Sequence, residues 1–90
     1  MTIFVRGRVQ GVGFRWWTRA RALELGLVGH ARNTSDGRVE IVAEGPPAGL
    51  ERLAELIRES PSTTRRPGST HAVSAPMWGE PLGARGFRER

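Results

Sequence analysis

From Thr2 to Gln10 the chain alternates. Ile3, Val5 and Val9 fall on one face, Arg6 and Arg8 on the other, the period of a half-buried strand. From Phe14 to Leu25 the period changes. Phe14, Trp17, Thr18, Ala22 and Leu25 recur at helical spacing, and Gly26 supplies a stop. Leu27 to Asn33 reads as a second strand. Asp36-Gly37 is a turn signal, and Arg38 to Glu44 alternates again, Val39, Ile41 and Ala43 inward, Arg38, Glu40 and Glu44 outward. Pro46-Pro47 can open a helix, where a missing N–H does no harm. Leu50, Leu53, Ala54 and Ile57 form its apolar stripe, and Ser60-Pro61 ends it. Residues 60–70 read as a polar loop. His71 to Trp78 is a weaker strand, in which Pro76 points to an edge position or a bulge. Gly86 to Arg90 closes the chain as a short strand.

The predicted order is βαββαβ plus a terminal strand. Two βαβ crossovers joined by a hairpin describe a ferredoxin-like α+β sandwich: an antiparallel-rich sheet with both helices on one face. Ninety residues make a single domain, 1–90. A chain of this size buries roughly 60–65% of its unfolded surface, so one modest core is expected. With no cysteine, disulfide and thiolate chemistry are excluded. No apolar run approaches the roughly 20 residues of a membrane span. The start, MTIFVRGRVQ, lacks a signal peptide's apolar region, so a cytoplasmic protein is expected.

Net charge is +5, and all fourteen basic residues are arginines. That balance favours anionic partners. The arginines are scattered, with only Arg65-Arg66 adjacent, so charge alone does not indicate nucleic acid.

The chemistry gathers at the first strand–helix junction, VRGRVQGVGFR (Val5 to Arg15). Small residues between Arg8 and Gly13 let successive N–H groups turn inward as an anion-binding concavity. The helix behind it adds unpaired N–H groups and a positive dipole end. Arg15, in the first helical turn, can hold two oxygens of one anion. On spacing alone the alternative stays open, namely a glycine-rich corner with a surface arginine. The run is neither GxGxxG nor a Walker loop.

VRGRVQGVGFR resembles the acylphosphatase signature V-x-G-x-V-Q-G-V-x-F-R. A second stretch, GHARNTSDGRVEIVAEG, is similar to that family's other signature at Gly29, Arg32, Asn33, Gly37, Val39 and Gly45. It departs at His30, where the family has an aromatic residue. The ending Phe87-Arg88-Glu89-Arg90 resembles the family's F-x-x-R finish. The resemblance is loosest over 60–80.

The resemblance implies hydrolysis of acyl phosphates to carboxylate and inorganic phosphate, without metal or cofactor. It implies that Arg15 and the amides of Arg8, Val9, Gln10, Gly11, Val12 and Gly13 bind the phosphoryl group. Asn33 would orient the attacking water. Expected partners are the small acyl phosphate and phosphate or sulfate as product-like ligands, with no nucleic acid and no membrane. A monomer is expected.

Each conspicuous residue also has a plainer reading. Asn33 could cap the Thr34–Gly37 turn. Trp16 and Trp17 are adjacent, so one packs on the sheet and the other faces rim or solvent. His30 and His71 have no ligand-spaced partners and read as surface or packing residues. Arg90 reads as tying down the chain end. Two other functions compete. RNA-recognition motifs share the βαββαβ order, and IFVRG resembles their first-strand motif. RVEIVAE, however, lacks the stacking aromatics of an RNA platform and carries Glu40 and Glu44. A carbamoyl-phosphate-handling domain, like the N-terminal module of hydrogenase-maturation proteins, is the nearer alternative.

Overall fold

The computed structural model describes residues 1–90. Its elements are β1 (Thr2–Arg8), α1 (Phe14–Glu24), β2 (Val28–Asn33), β3 (Val39–Glu44), α2 (Pro47–Arg58), β4 (Ser69–Val73) and β5 (Phe87–Glu89). One sheet runs in the order β4-β1-β3-β2-β5. Pairing is antiparallel except for β2 with β5, which is parallel. This is the ferredoxin-like α+β arrangement, extended by one strand beside β2.

The inward strand positions are those of the alternation. Ile3, Val5, Ala31, Val39, Ile41 and Ala43 are fully buried, together with Phe14 of α1 and Leu53 and Ile57 of α2. Each large aliphatic or aromatic side chain so buried contributes about 1.5–3 kcal/mol over an exposed one. Phe14 and Trp17 stack with ring centroids 5.7 Å apart. Trp17 is buried, while Trp16 is 61% exposed, the division that two adjacent helical positions require.

The structure departs from the sequence pattern in the second half. The fourth strand is not His71 to Trp78; it begins at Ser69, within the expected polar loop, and ends at Val73. Met77 returns only as an isolated bridge to Thr2. Backbone pairing decides this: β4 follows the end of β1, with Arg8 opposite Ser69 and a register shift at Arg6 and Gly7. Pro76 falls beyond the strand, which occupies the sheet edge. Arg66 does not extend a basic patch. Its Nη1 donates to the carbonyls of Leu56 and Ile57 at 2.9 and 2.8 Å and closes the end of α2.

Candidate active site

The junction between β1 and α1 is a tight loop, Val9 to Gly13. Gly11 has φ +70° and Gly13 φ +88°, backbone that L side chains rarely adopt. None of the N–H groups of Val9, Gln10, Gly11, Val12 and Gly13 donates to a protein acceptor, and the first helical bond runs from the Trp17 N–H to the Gly13 carbonyl at 3.0 Å. The N–H groups of Phe14, Arg15 and Trp16 precede that bond and stand at the helix's positive end. The loop and the first turn of α1 thus form a row of donors without acceptors.

Two supports hold the loop. From below, Gly68 comes so close that a Cβ there would overlap the Arg8 carbonyl oxygen, with φ +75°. The segment carrying Gly68 is tied in turn to α1, because the Trp17 Nε1–H donates to the Thr64 carbonyl at 3.1 Å. From the side, Gln10 reaches the hairpin between β2 and β3. Its Nε2 donates to the carbonyls of Thr34 and Arg38 at 3.1 and 2.9 Å. Sequence reasoning placed only the Gln10 amide here. The side-chain clamp depends on a residue 24 positions away in sequence, and no local pattern signals it.

Arg15 projects from the first turn toward the edge strand. One guanidinium nitrogen, Nη1, donates to the Arg90 carbonyl at 2.9 Å, leaving other N–H groups of the fork free. The Arg90 N–H in turn donates to the Ala31 carbonyl at 2.8 Å. This brings Arg15 to β2 two residues before Asn33. Asn33 ends β2 in register with Val39. It shares the parity of buried Ala31 and so belongs to the helix-facing side of the sheet. It is exposed. Arg8 ends β1 and is exposed. Neither Arg8 nor Arg15 has an Asp or Glu partner among the ion pairs.

The turn after Asn33 is held by other residues. Thr34 Oγ1 accepts the Arg38 N–H at 3.0 Å and donates to Asp36, while Arg38 Nε donates to Asp36 Oδ2 at 2.8 Å. Thr34 and then Arg38 hold the Asp36 carboxyl at about 2, below its usual 3.8. The Asn33 side chain takes no part in this network, so the turn-capping reading of Asn33 does not hold.

Across the sheet's open face His30 lies between Glu40 and Arg90, with Nε2 3.4 Å from Glu40 Oε1 and Nδ1 3.5 Å from Arg90 Nη1. The Arg32 guanidinium, hydrogen-bonded to Glu40 at 2.6 Å, holds that carboxyl below its usual range, and His30 adds to the effect. His71 is on β4, with β1 and β3 between it and β2. The two histidines are not brought together, and no three His, Asp or Glu side chains converge as metal ligands would. The largest surface cavity, about 500 Å³, lies elsewhere, along α2 and Trp78. Its lining carries three carboxylates, Glu51, Glu55 and Glu59, against one guanidinium, Arg58, a balance that disfavours an anion.

Residues 1–77 match the acylphosphatase family. The chain is 59% identical to an acylphosphatase of Saccharopolyspora erythraea over 91 aligned residues, covering all of this chain and 90% of that protein. The crystal structure of acylphosphatase from Bacillus subtilis superposes with a TM-score of 0.81 at 33% identity, over 99% of this chain and 94% of that one. Full-length HypF, crystallised in a phosphate- and nucleotide-bound form, contains a similar unit (TM-score 0.78, 27% identity), but the match covers 99% of this chain and only 11% of HypF. With both signatures, the strand order and near-full-length relatives in agreement, the chain belongs to the acylphosphatase family.

Proposed function

We propose that the protein hydrolyses the carboxyl–phosphate bond of small acyl phosphates, and that the loop Val9–Gly13, Arg15 and Asn33 do the work. The observation that carries this reading is the row of acceptor-free N–H groups in the Val9–Gly13 loop, with Arg15, which pairs with no Asp or Glu, at its end. Such a row fits the three oxygens of a phosphoryl group. Arg8 adds positive field at the mouth, and its amide extends the row.

The reaction asks little more of the site. A water oxygen bonds to phosphorus, the P–O bond to the acyl group breaks, and both electrons leave on a carboxylate. That leaving group is a weak base of pKa roughly 4, so it departs without a general acid. The water's proton goes to a phosphoryl oxygen of the substrate. Phosphoryl transfer through a loose transition state depends mainly on positioning and charge stabilisation. Amides and a guanidinium supply the charge, and the side-chain amide of Asn33 can orient the water, having both donor and acceptor. Phosphate or sulfate, as product-like ligands, would occupy the same cradle. The chain is read as a monomer acting in the cytoplasm. A carbamoyl-phosphate-handling role is the second reading, favoured only by the likeness to a small part of HypF.

The test separates binding from chemistry with a model acyl phosphate. Arg15→Ala is expected to weaken phosphate inhibition and remove thermal stabilisation by phosphate, with little rescue by Lys. Asn33→Ala is expected to lower kcat steeply while the phosphate inhibition constant stays within a few-fold. An Arg15→Ala protein that phosphate stabilises as well as the parent, or a fully active Asn33→Ala protein, overturns the assignment.

A further inference from the structure

A second group of arginines surrounds a surface cavity of about 380 Å³, lined by Gly29, His30, Gly83, Ala84, Arg85, Arg88 and Arg90. Its lining has three guanidinium groups and an imidazole, and no Asp or Glu side chain. Elsewhere Arg6, Arg21, Arg32, Arg38 and Arg52 are in ion pairs, and Arg19, Arg58 and Arg66 donate to backbone carbonyls. Arg85 and Arg88 have no such partner, and Arg90 Nη1 meets only the His30 ring nitrogen at 3.5 Å.

The nearby carboxylates are already engaged. Glu40 takes Arg32 and His30. Glu44 Oε1 accepts the Gly83 and Ala84 N–H groups at 3.0 and 3.4 Å, which fixes the backbone just before Arg85. Arg88 stands opposite His30 in the β2–β5 ladder, and Arg90 is held at its N–H by Ala31 and at its carbonyl by Arg15. Each guanidinium therefore springs from anchored backbone. Concentrating like charges on a fixed rim is unfavourable unless an anion sits among them.

We propose that this cavity is a second anion site, separate from the loop at Val9–Gly13, for a small molecule bearing at least two anionic groups. A single tetrahedral dianion would leave part of the positive charge of the three-arginine rim uncompensated. The volume is in the range of small-molecule sites, roughly 300–1,000 Å³, and planar guanidinium groups suit carboxylate or phosphate oxygens two at a time. The loop at Val9–Gly13, by contrast, offers amides fit for a single phosphoryl group. Arg90 touches both places, its side chain at the cavity rim and its carbonyl on Arg15. The site does not depend on the hydrolytic reading.

Citrate is the probe. Amide NMR spectra of the whole chain, titrated with citrate, are expected to move the signals of His30, Gly83, Ala84, Arg85 and Arg88 more than those of Val9 to Gly13. Phosphate is expected to do the reverse. The Arg85→Ala/Arg88→Ala protein should bind citrate at least tenfold more weakly with its unliganded melting temperature unchanged. An Arg52→Ala/Arg58→Ala protein, which loses the same charge on α2, should bind within twofold of the parent. Citrate shifts confined to Val9–Gly13, no citrate binding to the parent, or equal weakening in the two double variants each overturn the proposal.

Discussion

Replacing Gln10 with alanine removes one side chain that joins the loop to the hairpin carrying Asn33. Two hydrogen bonds are lost, to Thr34 O and Arg38 O. Both carbonyls keep other donors. Thr34 O accepts the Gly37 N–H at 3.3 Å, and Arg38 O accepts the Thr34 N–H at 2.8 Å. Neither is orphaned, and Gln10 is exposed, so the loss of global stability stays near the low end for two bonds, about 1 kcal/mol. In a domain of this size that is a fall in melting temperature of about 4–8 °C. The effect on the site is larger in proportion, because the amides of Val9 to Gly13 then hang between β1 and α1 with support from one side only. A tenfold rise in the phosphate inhibition constant corresponds to about 1.4 kcal/mol of lost preorganisation. We expect about that, with a comparable or greater loss of kcat/KM. Gln10→Glu should be worse in both, since a carboxylate has no N–H to give the carbonyls and adds repulsion beside the phosphoryl group. The assay is initial rate against a model acyl phosphate with phosphate as competitor, alongside thermal unfolding. If Gln10→Ala loses stability but keeps the parent's kcat/KM and inhibition constant, the clamp does not set the loop, and the argument for a preorganised cradle is wrong.

Full activity in EDTA and near-silence toward phosphomonoesters are expected, because an alkoxide leaving group needs a proton that the site does not offer; loss of rate on chelation, or brisk hydrolysis of both esters, refutes this. Asp36 has its pKa depressed from 3.8 to about 2, so its contribution to the hairpin is fully present above pH 3.8 and is lost as pH falls through about 2. Over that window the parent's melting temperature should drop more steeply than that of Asp36→Asn, and parallel curves would contradict it. Gly68→Ala meets both a positive φ and the Arg8 carbonyl oxygen, whereas Gly11→Ala meets a positive φ in open space. Gly68→Ala should therefore cost about 2–3 kcal/mol and Gly11→Ala about 1, and equal losses in thermal unfolding would show that the β4 approach does not constrain the loop.

The alternation of Ile3, Val5, Val39, Ile41 and Ala43, and the helical spacing of Phe14, Trp17 and Ala22, determined the first four elements to within a residue or two. These periods are local consequences of burying one face, so they survive in the sequence. The second helix was legible for the same reason, through Leu50, Leu53, Ala54 and Ile57. The fourth strand was not. Ser69, Thr70 and Ala72 are small or polar, because an edge strand buries little, and its position follows from pairing with the end of β1. At the candidate site, the glycine run and Arg15 were visible as residue types at a strand–helix junction, and Asn33 through the second signature. That Asn33 stays out of the turn could not be read there, because Thr34 is an equally good capping residue one position on, and only the folded hairpin chooses between them. The same limit hid the Gln10 clamp, the Gly68 support and the grouping of Arg85, Arg88 and Arg90 with His30. Each joins residues far apart in the chain, and such a contact leaves no period behind. It exists only once the sheet has set β1, β2 and β5 at their distances.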